Sequence, residues 1–531
     1  MQTTALMLLI LLLQKIRTMK IKIIQLLTVF LFGLHISSTY AMDNSNNTLK
    51  VASIFSNHMV LQRDLPVLVW GKAKAGTKVT VDFSNQTQTA TTNSSGDWKL
   101  QLKPLKGSFS PKQMTISSDN NQIITFVDIL VGEVWVCSGQ SNMAFTIDAI
   151  KAINVLKDSA KKIRSFSVKR TVSLTEQTTM EGTWEPSIPN SAVAFSFAYY
   201  LQEHANVPIG IILTAWGSSS IEAWMPRDLT TKLPYFKTIM QEFDKDISRI
   251  ERINNILSGP KPWPIKDDIY LRRQPNVLFN AMMKPIAPYT IKGIIWYQGE
   301  RNTLSMHGSI EKPWFKNTSG MLNYKEALQV WIKRYRQEWN NDQMNFMIVM
   351  LPRFTSTLST SPTKDNDHPS AHSWAWMRES QLSTSSLPNV SVVNTIDLGD
   401  PDNIHPLDKL PIGQRLAKLA ARDTLHKNIE AQGPIFKKAE IFDLNITLHF
   451  EHDDGLITNN GKAPAEFWLA NNNQQWAKAE AKIVNNKIIL TSDQIKRPLY
   501  VRYAFTGAPE VNLVNRYGLP TQPFRTDNFK P

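Results

Sequence analysis

The sequence predicts an α/β protein, with a parallel sheet in three layers at its centre and an all-β region at each end. Short runs rich in Ile and Val at 133–138, 207–213, 291–297, 345–351 and 390–395 read as strands buried on both faces. Helical patterns at 191–203, 324–339 and 410–424 separate them. Strands alternating with helices give a parallel sheet covered on both sides, because each crossover helix returns the chain to the same end of the sheet. Towards both termini, short strands separated by Gly, Asn, Asp and Ser turns replace this alternation.

The elements follow in order along the 531 residues. Residues 1–41 contain no acidic residue, and Lys15, Arg17, Lys20 and Lys22 lie between apolar runs at 5–13 and 23–36. Read from Met19, this is a secretory signal peptide ending at Thr39-Tyr40-Ala41. It predicts export to the periplasm or the extracellular space; an uncleaved anchor is the alternative, and 1–18 reads as an upstream start. Residues 42–127 form an expected β-sandwich-like domain, with strands at 66–70, 78–83, 98–102, 113–117 and 122–127. Residues 128–433 form the central domain, with insertions expected at 227–272 and 303–322 and a mobile Ser, Thr and Pro-rich loop at 355–373. Residues 434–531 return to β character, with strands at 445–450, 465–469, 482–490 and 499–504.

Composition narrows the function. The formal charge is +14, but Lys and Arg are interleaved with acids and form no basic stripe, so no nucleic-acid partner is expected. Cys137 is the single cysteine and lies in an apolar strand pattern, which makes it a buried small hydrophobe and rules out an intrachain disulfide. No His-Glu-x-x-His pattern, Cys/His cluster or phosphate-cradling glycine loop occurs, so neither a metal nor a cofactor is expected.

The chemistry concentrates where strands end. After the apolar run at 133–138 the sequence breaks into Gly139-Gln140-Ser141-Asn142-Met143. A serine hydroxyl is a weak nucleophile unless a base reaches it on one side and amide donors face the other, and a strand-to-helix turn provides both. Three more polar loops follow core strands: 216–224, 298–302 and 397–405. Ligands bind beyond the carboxyl ends of such strands, so the four loops are expected on one rim. His405 is the candidate base and Asp402 the acid that orients it, with Asp397 and Asp400 as rivals; His368 and His372 are weaker candidates for the base. Backbone N–H groups of Ser141 and Gly217 are the expected oxyanion donors, with the side-chain amide of Gln298 or Asn302 as a third. Gln140, Trp216, Glu300, Arg301, Trp374 and Arg378 are the candidate substrate contacts.

Gly-Gln-Ser-Asn-Met, Trp-Gly-x-x-x-Ile-Glu-Ala-Trp, Trp-Tyr-Gln-Gly-Glu-x-Asn and Asp-x-x-His-Pro, in that order, resemble the sialate O-acetylesterase branch of the SGNH hydrolases. The likeness extends to Met59-Val60-Leu61-Gln62-Arg63, Arg378-Glu379-Ser380-Gln381, Arg502-Tyr503-Ala504 and Asn512-Leu513-Val514-Asn515, and so covers nearly the whole chain after the leader. It implies an SGNH-type three-layer α/β/α core, Ser141 as nucleophile, His405 as base, and hydrolysis of O-acetyl groups on sugars, in particular 9-O-acetyl sialic acid. The chain departs from the family's pattern in two places. Ser218 and Ser219 replace the common Gly-Thr or Gly-Gly, and Arg301 replaces a small Ser. An esterase acting on acetylated xylan shares every catalytic residue and is the alternative. A catalytically inactive carbohydrate-binding protein is the alternative of another class, although a binder needs none of Ser141, Asp402 and His405. Oligomeric state stays open.

Overall fold

The computed structural model describes residues 48–149, 156–157, 160, 162–308 and 318–531. The leader expected at 1–41, and residues 309–317 of the insertion expected at 303–322, lie outside them. The molecule is a mixed α/β protein with one large mixed sheet and further β-rich regions. Seven strands form the path that carries the site: β1 (Ile123–Gly139), β2 (Ile163–Ser167), β3 (Trp184–Glu185), β4 (Ile209–Ala215), β5 (Gly293–Tyr297), β6 (Asn345–Val349) and β7 (Val390–Val393). Their order is β3-β2-β4-β1-β5-β6-β7. All neighbours run parallel except β3, which is antiparallel to β2.

Five of these strands fall on the expected apolar runs, while β2 and β3 had no such signature. The sequence of β2, Ile-Arg-Ser-Phe-Ser, has three polar residues in five, yet four of its five residues are buried. Arg164 is buried because it is paired: Nη1 and Nη2 donate to Asp128 at 2.7 and 2.8 Å, and His58 Nδ1 lies 2.7 Å from the same carboxylate. These contacts hold the Asp128 carboxyl down at about 2, with the Arg164 hydrogen bond as the largest cause.

Asp128 also marks a change of partners within one strand. β1 runs unbroken through 127/128, where the sequence suggested a domain boundary. Its antiparallel pairing with Ser108–Ser118 runs as far as Val131, and before Asp128 it exposes alternate residues. Beyond it, the strand is continuously buried and lies parallel between β4 and β5. A register shift in the facing strand and a left-handed Asp128 (φ 56°) form the bend between the two regimes. The Met-Val-Leu-Gln-Arg segment closes the same junction. Val60–Gln62 pairs parallel with β1, Gln62 Oε1 accepts from Val134 N at 2.8 Å, and Arg63 Nε meets Glu133 Oε1 at 2.6 Å.

Helices cover both faces of the sheet. They are α1 (Ser141–Ala144), α2 (Ala192–Ala205), α3 (Gly320–Glu338), α4 (Ala375–Leu382) and α5 (Leu410–Leu425). Trp135 of β1 packs edge-on against Phe197 of α2, with centroids 5.3 Å apart. Trp296 of β5 lies 4.6 Å from Trp331 of α3. Trp135 is in register with Gly293, so strand alternation puts Trp296 on the opposite face. α2 and α5 touch at Gly413, where a Cβ would sit 2.3 Å from the Ser196 Cβ.

The C-terminal region holds strands beyond the expected four, including Ile435–Ile441, and one expected strand is divided. The run expected as one strand at 482–490 is a hairpin, Glu480–Val484 and Lys487–Thr491. Its two connecting residues, Asn485 and Asn486, have φ of 51° and 58°, the left-handed pair that a tight hairpin turn demands and asparagine tolerates. The loop at 355–373 is tied to this region: Phe354 N donates to Gly507 O at 3.2 Å, and Arg502 Nη1 to Pro369 O at 2.6 Å. Among the described residues no helix is long and apolar enough to cross a membrane.

Candidate active site

β1 ends at Gly139 with φ 138°, and a Cβ there would lie 2.1 Å from the Tyr297 carbonyl oxygen, so the turn requires glycine. Gln140 N donates to that same carbonyl at 3.0 Å, and the chain enters α1 with Ser141 half-buried at its first position. His405, from the loop after β7, places Nε2 2.8 Å from Ser141 Oγ. The loop after β4 completes the turn: Trp216 N donates to Gly139 O at 3.1 Å, and a Cβ on Gly217 would stand 3.3 Å from the Ser141 Cβ. Neither Ser141 N–H nor Gly217 N–H donates to any group among the described residues. Two unused donors therefore flank a serine that already contacts a ring nitrogen, which suits a tetrahedral oxyanion.

The backbone of His405 is fixed by its N–H to Asn403 Oδ1 at 2.9 Å, and its ring stacks on Phe145 with centroids 6.3 Å apart. Burial, then the nearby Lys409 ammonium, push its pKa down from the ordinary 6.5, which favours the neutral base. The candidate acids lie elsewhere. Asp402 is exposed and no hydrogen bond joins it to His405; its N–H donates to Asp400 Oδ1 at 2.9 Å. Asp397 is held by Arg415 in a two-pronged pair at 2.7 and 2.6 Å. His368 contacts Ser370 Oγ at 2.6 Å and packs on Trp468, away from Ser141.

Behind the dyad lies a buried network that sequence reasoning missed. Lys409 Nζ donates to Asn142 Oδ1 at 2.6 Å, and Asn142 Nδ2 donates to Glu300 Oε1 at 2.5 Å and to Ile404 O at 3.0 Å. Burial pulls Lys409 down to about 7 and raises Glu300 to about 6. Asn142 carried a signal, being the residue after the nucleophile in its motif. Lys409 carried none, since a lysine opening a helix usually reads as solvated.

The expected side-chain amides are committed elsewhere. Asn302 Nδ2 donates to Glu222 Oε2 at 3.1 Å and Ser319 Oγ at 3.0 Å. Gln298 Nε2 lies 3.1 Å from Gln140 Oε1, 3.2 Å from Ser219 O and 2.8 Å from Asn302 Oδ1. Both are fully buried, and neither is aimed at Ser141. Several expected substrate contacts are likewise interior. Trp216 and Trp374 are each 2% exposed, too little to offer a ring face to a sugar. Arg378 is fully buried and donates to the carbonyls of Leu351, Pro352, Thr506 and Gly507, clamping the central region to the C-terminal one. Gln140 is buried and accepts from Arg301 N at 3.2 Å. Glu300 bonds Asn142 rather than Arg301.

Ser219, one of the departures from the family's pattern, is explained by packing. Its Oγ donates to Trp216 O at 2.8 Å and accepts from Trp224 Nε1 at 3.0 Å, bracing the loop.

The carbohydrate esterase family of sialic acid-specific acetylesterases matches residues 131–257 and 269–422, the segments that carry Ser141, Gly217, Glu300 and His405. The chain belongs to that family. It is a carboxylic ester hydrolase of the carbohydrate acetylesterase kind. The sialate O-acetylesterase of Rattus norvegicus is 26% identical over 507 residues, spanning 87% of this chain and 90% of that protein. The Homo sapiens sialate O-acetylesterase is 26% identical over 438 residues, spanning 75% of this chain and 76% of that protein. Among solved structures, a carbohydrate acetylesterase from Xanthomonas citri is similar with a TM-score of 0.74 and 28% identity, covering 90% of this chain and all of that one. The Ser141–His405 contact joins the first matched segment to the second.

Proposed function

We propose that this sialic acid-specific acetylesterase homologue removes O-acetyl groups, foremost the 9-O-acetyl of sialic acid, through an acetyl-serine intermediate on an SGNH-type α/β/α core flanked by β domains. The observation that carries the mechanism is the 2.8 Å contact between His405 Nε2 and Ser141 Oγ beside two unused backbone donors. His405 takes the Ser141 proton as Oγ attacks the acetyl carbonyl, and the N–H groups of Ser141 and Gly217 stabilise the oxyanion. The sugar oxygen leaves with the proton from His405. Water, deprotonated by His405, then attacks the acetyl carbonyl, and acetate departs as Ser141 regains its proton. The imidazole is oriented in this reading by Phe145, Asn403 and the backbone restriction before Pro406, without a carboxylate. The basic, apolar and small-residue pattern of 19–41 supports action in the periplasm or outside the cell.

Acetate release by residues 42–531 from 9-O-acetylated sialic acid and from acetylated xylan, measured side by side, tests this. Faster release from the sialic acid is expected. Preference for xylan would retain the mechanism and move the enzyme to plant polysaccharide. Release from neither would overturn the assignment.

A further inference from the structure

Ser218, one of the positions at which the chain departs from its family's pattern, meets Arg273, and the charge of Arg273 is also felt by Arg301, another such position. Arg273 Nη2 lies 3.4 Å from Ser218 Oγ. Arg273 is also near enough to Arg301 for its charge to depress the Arg301 guanidinium, which burial has already pulled down to about 10. Ser218 adopts a left-handed φ of 59°, which glycine would adopt without strain; with serine there, a hydroxyl is directed at the guanidinium.

Arg272 joins from the preceding position in the chain and Arg170 from a separate segment. Arg272 Cζ stands 6.0 Å from the Trp216 ring centroid, and Arg170 Nε donates to Ala215 O at 3.2 Å. The guanidiniums of Arg170, Arg272 and Arg273 thus border the loop 215–218, whose Gly217 packs against Ser141. Consecutive contacts put Arg273 within on the order of 10 Å of the nucleophile, the span of one large sugar. Two acids are placed here among the described residues. Asp268 pairs with Arg272 at 2.9 Å, and Glu222 is buried beneath with its carboxylate bonded to Asn302 and Ser319. Arg272 Nε is buried with no hydrogen-bond partner among the described residues. Like charges held together in a partly desolvated place repel one another, and a bound anion relieves that repulsion.

We propose that Arg272, Arg273 and Arg301, with Ser218, form a carboxylate subsite beside Ser141 that selects anionic O-acetylated sugars. The subsite rests on the sugar-esterase reading above and adds its specificity. The sugar's carboxylate docks against the arginines while its acetyl ester reaches Ser141, so a neutral sugar gains nothing there. Planar guanidiniums suit this task because each presents two parallel donors to a carboxylate.

The test compares kcat/KM for 9-O-acetyl sialic acid and for its carboxyl methyl ester, which keeps shape and acetyl group and removes the charge. The wild type is expected to prefer the free acid. Arg301→Ser, which restores the family's residue, and Arg273→Gln are each expected to lower that acid-to-methyl-ester ratio about tenfold, and Arg273→Lys is expected to keep part of it. A purely structural role would lower both substrates equally and leave the ratio unchanged, which would overturn the subsite. So would a wild-type ratio near one, with the sugar-esterase reading still standing. If neither sugar releases acetate while 4-nitrophenyl acetate is cleaved, the sugar-esterase reading falls and the subsite with it.

Discussion

At the rim, Ser141 and Gly217 keep their N–H groups unbonded among the described residues, and the Ser141 hydroxyl meets a half-buried imidazole. One layer below, Gln298, Asn302 and Glu222 use their polar atoms on one another and on Ser219, Ile221 and Ser319. Both regions are made of polar residues in the same motifs, yet only the first has hydrogen-bonding capacity left for a substrate. A buried amide with both hydrogens engaged is a brace, because redirecting one towards an oxyanion would orphan a partner at a cost of about 1–3 kcal/mol.

The largest effect should come from breaking the rim. Ser141→Ala and His405→Ala are each expected to lower kcat by at least about 10³-fold with little change in the thermal midpoint, because in the proposed mechanism these groups act on the reacting atoms and both side chains are only half-buried. Activity surviving in Ser141→Ala would remove the nucleophile assignment.

Asn302→Ala probes the layer below and should act on a different readout. It removes the amide hydrogen bonds to Glu222 Oε2 and Ser319 Oγ in a fully buried place, so a loss of about 1–3 kcal/mol of stability is expected in denaturant unfolding. A collapse of kcat at unchanged stability would mean that the amide turns towards the oxyanion during the reaction, and the contrast between the layers would fail.

Lys409→Met sharpens the contrast from behind. The cation depresses His405, second to burial, so the enzyme should keep a neutral base below the ordinary histidine value of 6.5, and the acid limb of its kcat/KM profile should lie below that pH. With the ammonium gone, the His405 pKa rises, protonation sets in earlier as pH falls, and the acid limb should move to higher pH. An unmoved limb would show that burial alone sets the base.

What the sequence made legible follows the same division. Ser141, Gly217 and His405 could be found because small and polar residues interrupt apolar strands there, and the turn geometry leaves them few other uses. The five long core strands were legible by their Ile and Val runs. β2 was not, because its buried arginine is tolerated only through Asp128, a partner distant in sequence. Arg378, Trp216 and Trp374 looked like substrate contacts by residue type. Their duty depends on what packs around them, which is carbonyls for the arginine and neighbouring side chains for the tryptophans.

Asp402 is where motif and geometry diverge, and it should give the smallest effect. The Asp-x-x-His spacing suggests an acid that orients the base, but the carboxylate is exposed and unbonded to His405, while Asn403 fixes the His405 backbone and Phe145 stacks on the imidazole. An exposed carboxylate without that bond has little hold on the tautomer or on the developing charge. Asp402→Asn is therefore expected to cost less than about tenfold in kcat, against the roughly 10⁴-fold typical when a buried triad acid loses its charge. A loss near the larger figure would mean that the loop at 397–405 closes on substrate and brings Asp402 to Nδ1, which would turn the dyad into a triad formed only in the complex.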